Sequence, residues 1–150
     1  MTHIQNTILI RRPLDEVFDY VTTPAKWVEW HPATVSISGE VDHPARVGEG
    51  FVEKIRFGVF RGEIDWVVVE QAPPHRWMFE GKIRAFLAKE TPALITYQLF
   101  QREEGTLFQR DLVYTAPNRF SSFLDRLFMR RHNERESAEA LEKLKAVLEK

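Results

Sequence analysis

Apolar residues recur along this chain with two different periods, and the switch between them marks out the elements. His3 to Arg11 reads as a first strand ending at the charged pair Arg11-Arg12. Pro13 suits the first turn of a helix, where its missing N–H has no partner to lose. Leu14, Val17, Phe18 and Val21 then recur at i, i+3, i+4 and i+7, with Asp15 and Glu16 where the helix dipole favours anions. Thr22-Thr23-Pro24 breaks that helix. Pro24 opens a second short one through Trp27 to Trp30, and Pro32 ends it.

From Thr34 the period becomes two. Thr34 to Gly39 alternates as a strand, and a turn-rich stretch with Pro44, Gly48 and Gly50 follows. Phe51 to Phe57 places Phe51, Glu53, Ile55 and Phe57 on one face, and Gly62 to Gln71 places Ile64, Trp66 and Val68 together. After the Pro73-Pro74 turn, Trp77 and Phe79 alternate with Met78 and Glu80. Leu94 to Gln101 is the next strand, Glu104-Gly105 a tight turn, and Thr106 to Tyr114 sets Phe108, Arg110, Leu112 and Tyr114 on one face. Residues 84 to 92 fit neither period and are expected to form a rim or lid over an opening.

Pro117-Asn118 closes the sheet, and Asn118 suits an N-cap for a helix running to the C-terminus. Its stripe is Phe120, Phe123, Leu124 and Leu127, resumed by Ala138, Leu141, Leu144 and Leu148. At about 100° per residue, Arg130 and Glu134 fall within about 20° of Leu141. Charge on a core stripe needs a polar or wet space in front of it. The order is thus strand, two short helices, about six further strands and one long helix. Short connections make the sheet antiparallel, and the lone helix must bury its apolar face on it, which gives an α+β fold with a cavity between the two.

Composition narrows the function classes. At 150 residues, the chain is read as one ligand-binding domain spanning residues 1–150. It has no cysteine, which excludes disulfides, thiol catalysis and Cys-based zinc sites. A net charge of −1 gives no general attraction to nucleic acid, and none is expected as a partner. There is no continuous apolar run of signal or membrane-span length, so a soluble, cytoplasmic protein is the expectation. The five histidines show no metal-ligand spacing, so neither a metal nor a cofactor is expected.

The candidate chemistry is a polar set among apolar neighbours. Strand alternation turns Glu53 and Arg110 inward, and helix geometry does the same for Arg130 and Glu134. These side chains either form structural ion pairs or orient the polar end of a ligand. Trp30, Trp66, Trp77, Phe79, Tyr97 and Tyr114 supply aromatic wall or core, with Trp66 and Tyr114 the favoured wall residues because each carries a polar handle. His31 is a mouth residue, a cap or a general base. Residues 120–135 mix aromatics with arginines and suit either a core stripe or transient membrane docking. Phe128 and Met129 lie off the main stripe and suit a homodimer contact.

The order of several segments resembles the helix-grip superfamily of START-like proteins (the SRPBCC group), and within it the polyketide cyclase/dehydrase-like branch. The segments are residues 13–21, Trp27-Val28-Glu29-Trp30-His31-Pro32, Val47-Gly48-Glu49-Gly50-Phe51, Trp66 to Glu70 with Pro73-Pro74, Trp77 to Gly81, residues 106–114 and residues 140–145. The resemblance implies a curved antiparallel sheet of about six to seven strands wrapped around the C-terminal helix, with two short helices after strand 1. It also implies a cavity for a small hydrophobic or amphipathic molecule such as a lipid, polyketide or quinone. Three readings stay open: a non-catalytic binder or carrier, a cyclase or dehydratase acting in the same cavity, and a protein-interaction or chaperone-accessory module.

Overall fold

The computed structural model of the protein describes residues 1–57, 60–85, 90–115, 119, 123 and 130–150. The elements are β1 (Thr2–Ile10), α1 (Leu14–Val21), a 3₁₀ helix (Pro24–Glu29), β2 (Thr34–Gly39), β3 (Gly50–Phe57), β4 (Phe60–Ala72), β5 (Arg76–Ala85), β6 (Thr91–Arg102), β7 (Gly105–Tyr114) and α2 (Arg130–Leu148). All seven strands form one antiparallel sheet in the order β1-β7-β6-β5-β4-β3-β2. Strands β2 to β6 each pair with the next in sequence, and β7 pairs with β1. β1 and β2 are the two edges, so α1 and the 3₁₀ helix must carry the chain from one edge to the other.

Local chemistry explains each helix. α1 buries Val17, Phe18 and Val21, the stripe predicted by its periodicity. It ends where Thr22 Oγ1 donates to the Phe18 carbonyl at 2.8 Å and Thr23 Oγ1 to the Asp19 carbonyl at 2.6 Å. The second helix is 3₁₀ rather than α. It is six residues long and opens on proline, and its end is closed by the Trp30 N–H on the Trp27 carbonyl at 3.0 Å, an i→i+3 bond. At the β6–β7 turn, Gly105 has φ 147°, and a Cβ there would lie 2.2 Å from the Ile10 carbonyl. Only glycine lets β7 begin so close to the end of β1.

The sheet's inner face follows the period-two expectation. Ile64, Trp66 and Val68 on β4, Trp77 and Phe79 on β5, Ile95, Tyr97 and Leu99 on β6, and Phe108, Arg110 and Tyr114 on β7 are all buried. α2 packs against β1 and is tied to it at its C-terminal end. Arg12 Nε donates to the Leu148 carbonyl at 2.5 Å and its Nη2 to the Lys150 carbonyl at 2.8 Å, while Lys145 Nζ donates to the Leu9 carbonyl at 2.7 Å. Cations so placed satisfy orphan carbonyls and oppose the negative end of the helix dipole.

The helix corrects one expectation. Arg130 and Glu134 do not face the sheet: their side chains are 54% and 49% exposed and pair with each other at 3.2 Å. The buried face of α2 is Ser137, Ala140, Leu141 and Leu144, and Ala138 is exposed. That face is centred about 50° from Leu141 toward Ser137 and Ala140, which leaves Glu134 about 70° off centre. Arg130 lies nearer the centre, but its long side chain reaches water and meets Glu134 one turn on. Arg119 and Phe123 are helical, as expected, and Phe123 is 55% exposed. Phe120, Leu124, Leu127, Phe128 and Met129 lie outside the described residues. Of the expected rim, residues 84 and 85 end β5 and residues 91 and 92 begin β6, while residues 86–89 lie outside the described residues. No helix among the described residues is long and apolar enough to cross a membrane.

Candidate functional site

Two buried side chains give the inner face its polarity. Glu53 on β3 is 5% exposed, and each of its oxygens has a donor. Trp66 Nε1 donates to Oε1 at 2.9 Å, and Thr34 Oγ1 donates to Oε2 at 2.5 Å. Arg110 on β7 is 8% exposed, and its Nη1 donates to Ser137 Oγ on α2 at 3.0 Å. Its Nε has no partner. None of the ion pairs among the described residues includes Arg110. Tyr97 lies directly opposite Arg110 across the β6–β7 ladder, so the two side chains share a face. Its hydroxyl is close enough to feel the guanidinium, yet no well-formed hydrogen bond joins them.

Trp30 and His31 close this cluster from the end of the 3₁₀ helix. Their rings lie 3.9 Å apart, centroid to centroid, and Trp30 contacts Tyr97 at 6.4 Å and Phe108 at 6.3 Å. Trp30 is fully buried, and neither its Nε1 nor His31 Nε2 has a hydrogen-bond partner.

Electrostatics follow from this burial. Desolvation lowers the His31 pKa well below 6.5, helped by the charge of Arg110, so the imidazole is neutral at pH 7. Burial raises the Glu53 carboxyl above 4.5, although Thr34, Trp66 and Arg110 pull it back. Burial also raises the Tyr97 phenol, against the pull of Arg110. Glu136 on α2 is raised, by its partial burial first, and lies 3.1 Å from His132. Two groups of opposite charge type are thus pushed toward their neutral forms within one cluster.

Beside the cluster, register sets Trp66, Gly81, Ala93 and Tyr114 in one cross-strand row over β4 to β7. The two central residues are small. A Cβ on Gly81 would lie 2.6 Å from the Trp66 ring, so the indole rests on the bare glycine backbone. A hollow of about 570 Å³ runs along this row. Besides the row it is lined by Asp65, Val67, Glu80, Lys82, Leu94 and Val113, whose side chains alternate to the outer face of the sheet, so it opens on the side away from the polar cluster. That volume is in the range of small-molecule sites.

Of the candidates drawn from the sequence, Trp30, His31, Glu53, Trp66, Tyr97 and Arg110 come together. Tyr114 borders the hollow, and its hydroxyl accepts from Asn133 Nδ2 at 3.1 Å. Phe79 is enclosed by Trp27, Phe51, Trp66, Trp77 and Tyr97 and serves as core. Arg130 and Glu134 stand apart on the solvent side. Thr34, Ser137 and Asn133 were missed. Ser137 lies one turn before Leu141, and a small polar residue there was its only signal. Apart from the cluster, Glu40, His43 and Glu49 hold three potential metal-ligand atoms within 4.8 Å of one another. Glu49 already accepts from the Arg46 N–H at 2.7 Å and meets His43 Nε2 at 2.9 Å, which lowers its pKa to about 2.

Comparison with known proteins agrees with this architecture. The family described as "Polyketide cyclase / dehydrase and lipid transport" matches residues 1–149. "Penitrem biosynthesis cluster 1 protein I" of Penicillium ochrochloron is 30% identical over 95 residues, which are 62% of this chain and 62% of that protein. The alignment therefore spans less than two thirds of the curated relative. An uncharacterised protein from Rhizobium leguminosarum superposes with a TM-score of 0.75 at 14% identity, covering 99% of this chain and 94% of that one. DynU16, from the dynemicin biosynthetic locus, superposes with a TM-score of 0.66 at 20% identity, covering 98% of this chain and 47% of that one. With the family matched along almost its whole length, the chain belongs to the polyketide cyclase/dehydrase and lipid transport family.

Proposed function

We propose that the protein binds one small hydrophobic or amphipathic molecule between the sheet and the C-terminal helix, with its polar end on the Glu53–Tyr97–Arg110 cluster. The observation that carries this reading is a set of buried polar groups without partners, those of Trp30, His31, Tyr97 and Arg110, on an otherwise apolar inner face. Core residues are normally satisfied. Several unsatisfied polar groups on one apolar face are what a pre-formed ligand site presents. The family's description, which names polyketide cyclases and lipid transport, supports a small-molecule guest over a macromolecule.

Native mass spectrometry with organic extraction tests it. Wild-type protein is expected to retain one amphipathic molecule per chain. Trp66→Ala and Arg110→Ala should fold, by circular dichroism, and lose it. Normal retention by both variants would show that the cavity has been placed wrongly.

A second reading is favoured by one observation: His31 and Glu53 have pKa values displaced in opposite directions within one cluster. A neutral imidazole can accept a proton, and a carboxyl whose pKa is raised holds its proton to higher pH, the division of roles that general acid–base chemistry uses. A pH–rate profile that is unchanged in both His31→Ala and Glu53→Ala would exclude that chemistry.

A further inference from the structure

The four tryptophans differ in one respect. Trp27 Nε1 donates to the Val21 carbonyl at 3.1 Å, Trp66 Nε1 to Glu53 at 2.9 Å and Trp77 Nε1 to the Ala45 carbonyl at 2.9 Å. Trp30 is as deeply buried as any of them, yet its N–H has no acceptor. The Tyr97 ring lies 6.4 Å from it, Arg110 stands opposite Tyr97 on β7, and each of the two carries an unsatisfied polar atom of its own. An indole N–H and the guanidinium Nε–H are donors only, and a phenol next to a cation turns its lone pairs toward that cation and its proton away. The unmet demand at this point is therefore for an acceptor.

Charge narrows the class further. A buried guanidinium without a counter-ion is costly. Glu53 and Glu136 feel the charge of Arg110, but neither forms an ion pair with it, and both Glu53 oxygens already have donors. A water molecule would meet the hydrogen bonds but leave the charge. An anionic oxygen meets both. Resting on the binding function proposed above, we infer that Trp30 Nε1, Tyr97 Oη and Arg110 Nε form a subsite for an anionic oxygen head group, a carboxylate or an ionised enol or phenol, on an otherwise apolar ligand.

The test holds the tail constant and changes the head. Dissociation constants would be measured by calorimetry at pH 7 for dodecanoate, 1-dodecanol and dodecylamine, and for 2-naphthoate against 2-naphthalenemethanol. A charge-assisted subsite makes the acid bind at least about tenfold tighter than the alcohol with either tail, and the amine weakest. Tyr97→Phe and Trp30→Phe each remove one N–H or O–H and keep a ring, and each should shrink the acid-to-alcohol ratio several-fold. Arg110→Gln should abolish it. A merely structural role for these residues would change affinity for all heads alike and leave the ratio unmoved. Acids and alcohols binding equally, or an unchanged ratio in all three variants, would overturn the anion subsite while leaving the binding function intact. No binding by any head on either tail would overturn the binding function itself.

Discussion

Two adjoining parts of the grip's interior are built from the same residue types and finished differently. Around Trp27, Trp77, Phe51 and Phe79 the rings pack edge-to-face, tilted or, for Phe51 and Trp77, parallel, at 4.5–6.5 Å, and both indole N–H groups have backbone acceptors. Around Trp30, Tyr97 and Arg110 the rings are equally buried, yet an indole, a phenol and a guanidinium each keep an unmet bond. Burial is the same in both parts, so burial is not what separates core from site. Satisfaction is. The first region gives stability, and the second holds polar groups in an environment where each unmet bond costs about 1–3 kcal/mol until something binds.

The largest effect that would break this contrast comes from the aromatic end. Phe79→Ala should destabilise the fold by about 3–5 kcal/mol in urea denaturation, because the cavity left among five rings cannot collapse. Gly81→Ala should cost about 1–3 kcal/mol: the new methyl would lie 2.5 Å from the Asp65 carbonyl and 2.6 Å from the Trp66 ring, so a strand must move. The polar end should respond with the opposite sign. Tyr97→Phe removes an orphaned hydroxyl and should leave stability unchanged or raise it by up to about 1 kcal/mol, while ligand retention falls. A loss of stability comparable to that of Phe79→Ala would show that Tyr97 is core. Glu134→Ala, on the solvent side, should change stability by less than about 0.5 kcal/mol.

The pH dependence separates the two displaced groups. Glu53 has a folded pKa above its ordinary 4.5. The folded state therefore binds its proton more tightly, and stability falls as pH rises from about 4.5 through the raised value. His31 has a folded pKa below its ordinary 6.5. There the unfolded state binds the proton more tightly, and stability rises with pH up to about 6.5. Melting temperatures across pH 4 to 8 should thus show a weaker fall in Glu53→Gln and a weaker rise in His31→Gln. Parallel profiles for wild type and both variants would contradict the assigned burial.

The fold was legible because its signals are periodic. Alternation on β3, β4 and β7 correctly turned Glu53, Trp66 and Arg110 inward, and the i, i+3, i+4, i+7 stripe of α1 matches the residues it buries. The C-terminal helix was harder to read because its face is marked by Ser137 and Ala140, which carry little hydrophobic signal. Centring it on Leu141 drew Arg130 and Glu134 inward in error. Thr34 could not be singled out, because nothing in a lone threonine at a strand start shows that its hydroxyl meets a carboxylate 19 residues on. The feature that matters most at Trp30 is a missing acceptor, a property of three-dimensional surroundings that no spacing encodes.

The most direct measurement follows the four indole N–H resonances of ¹⁵N-labelled protein during titration with dodecanoate, assigned by single Trp→Phe variants. Ligand at the polar end shifts Trp30 downfield as it gains an acceptor and perturbs Trp66 beside Glu53, while Trp27 and Trp77 stay fixed on their backbone carbonyls. Saturation with Trp30 unmoved, or with the shifts confined to Trp27 and Trp77, would contradict the division of the interior into a finished core and an unfinished site.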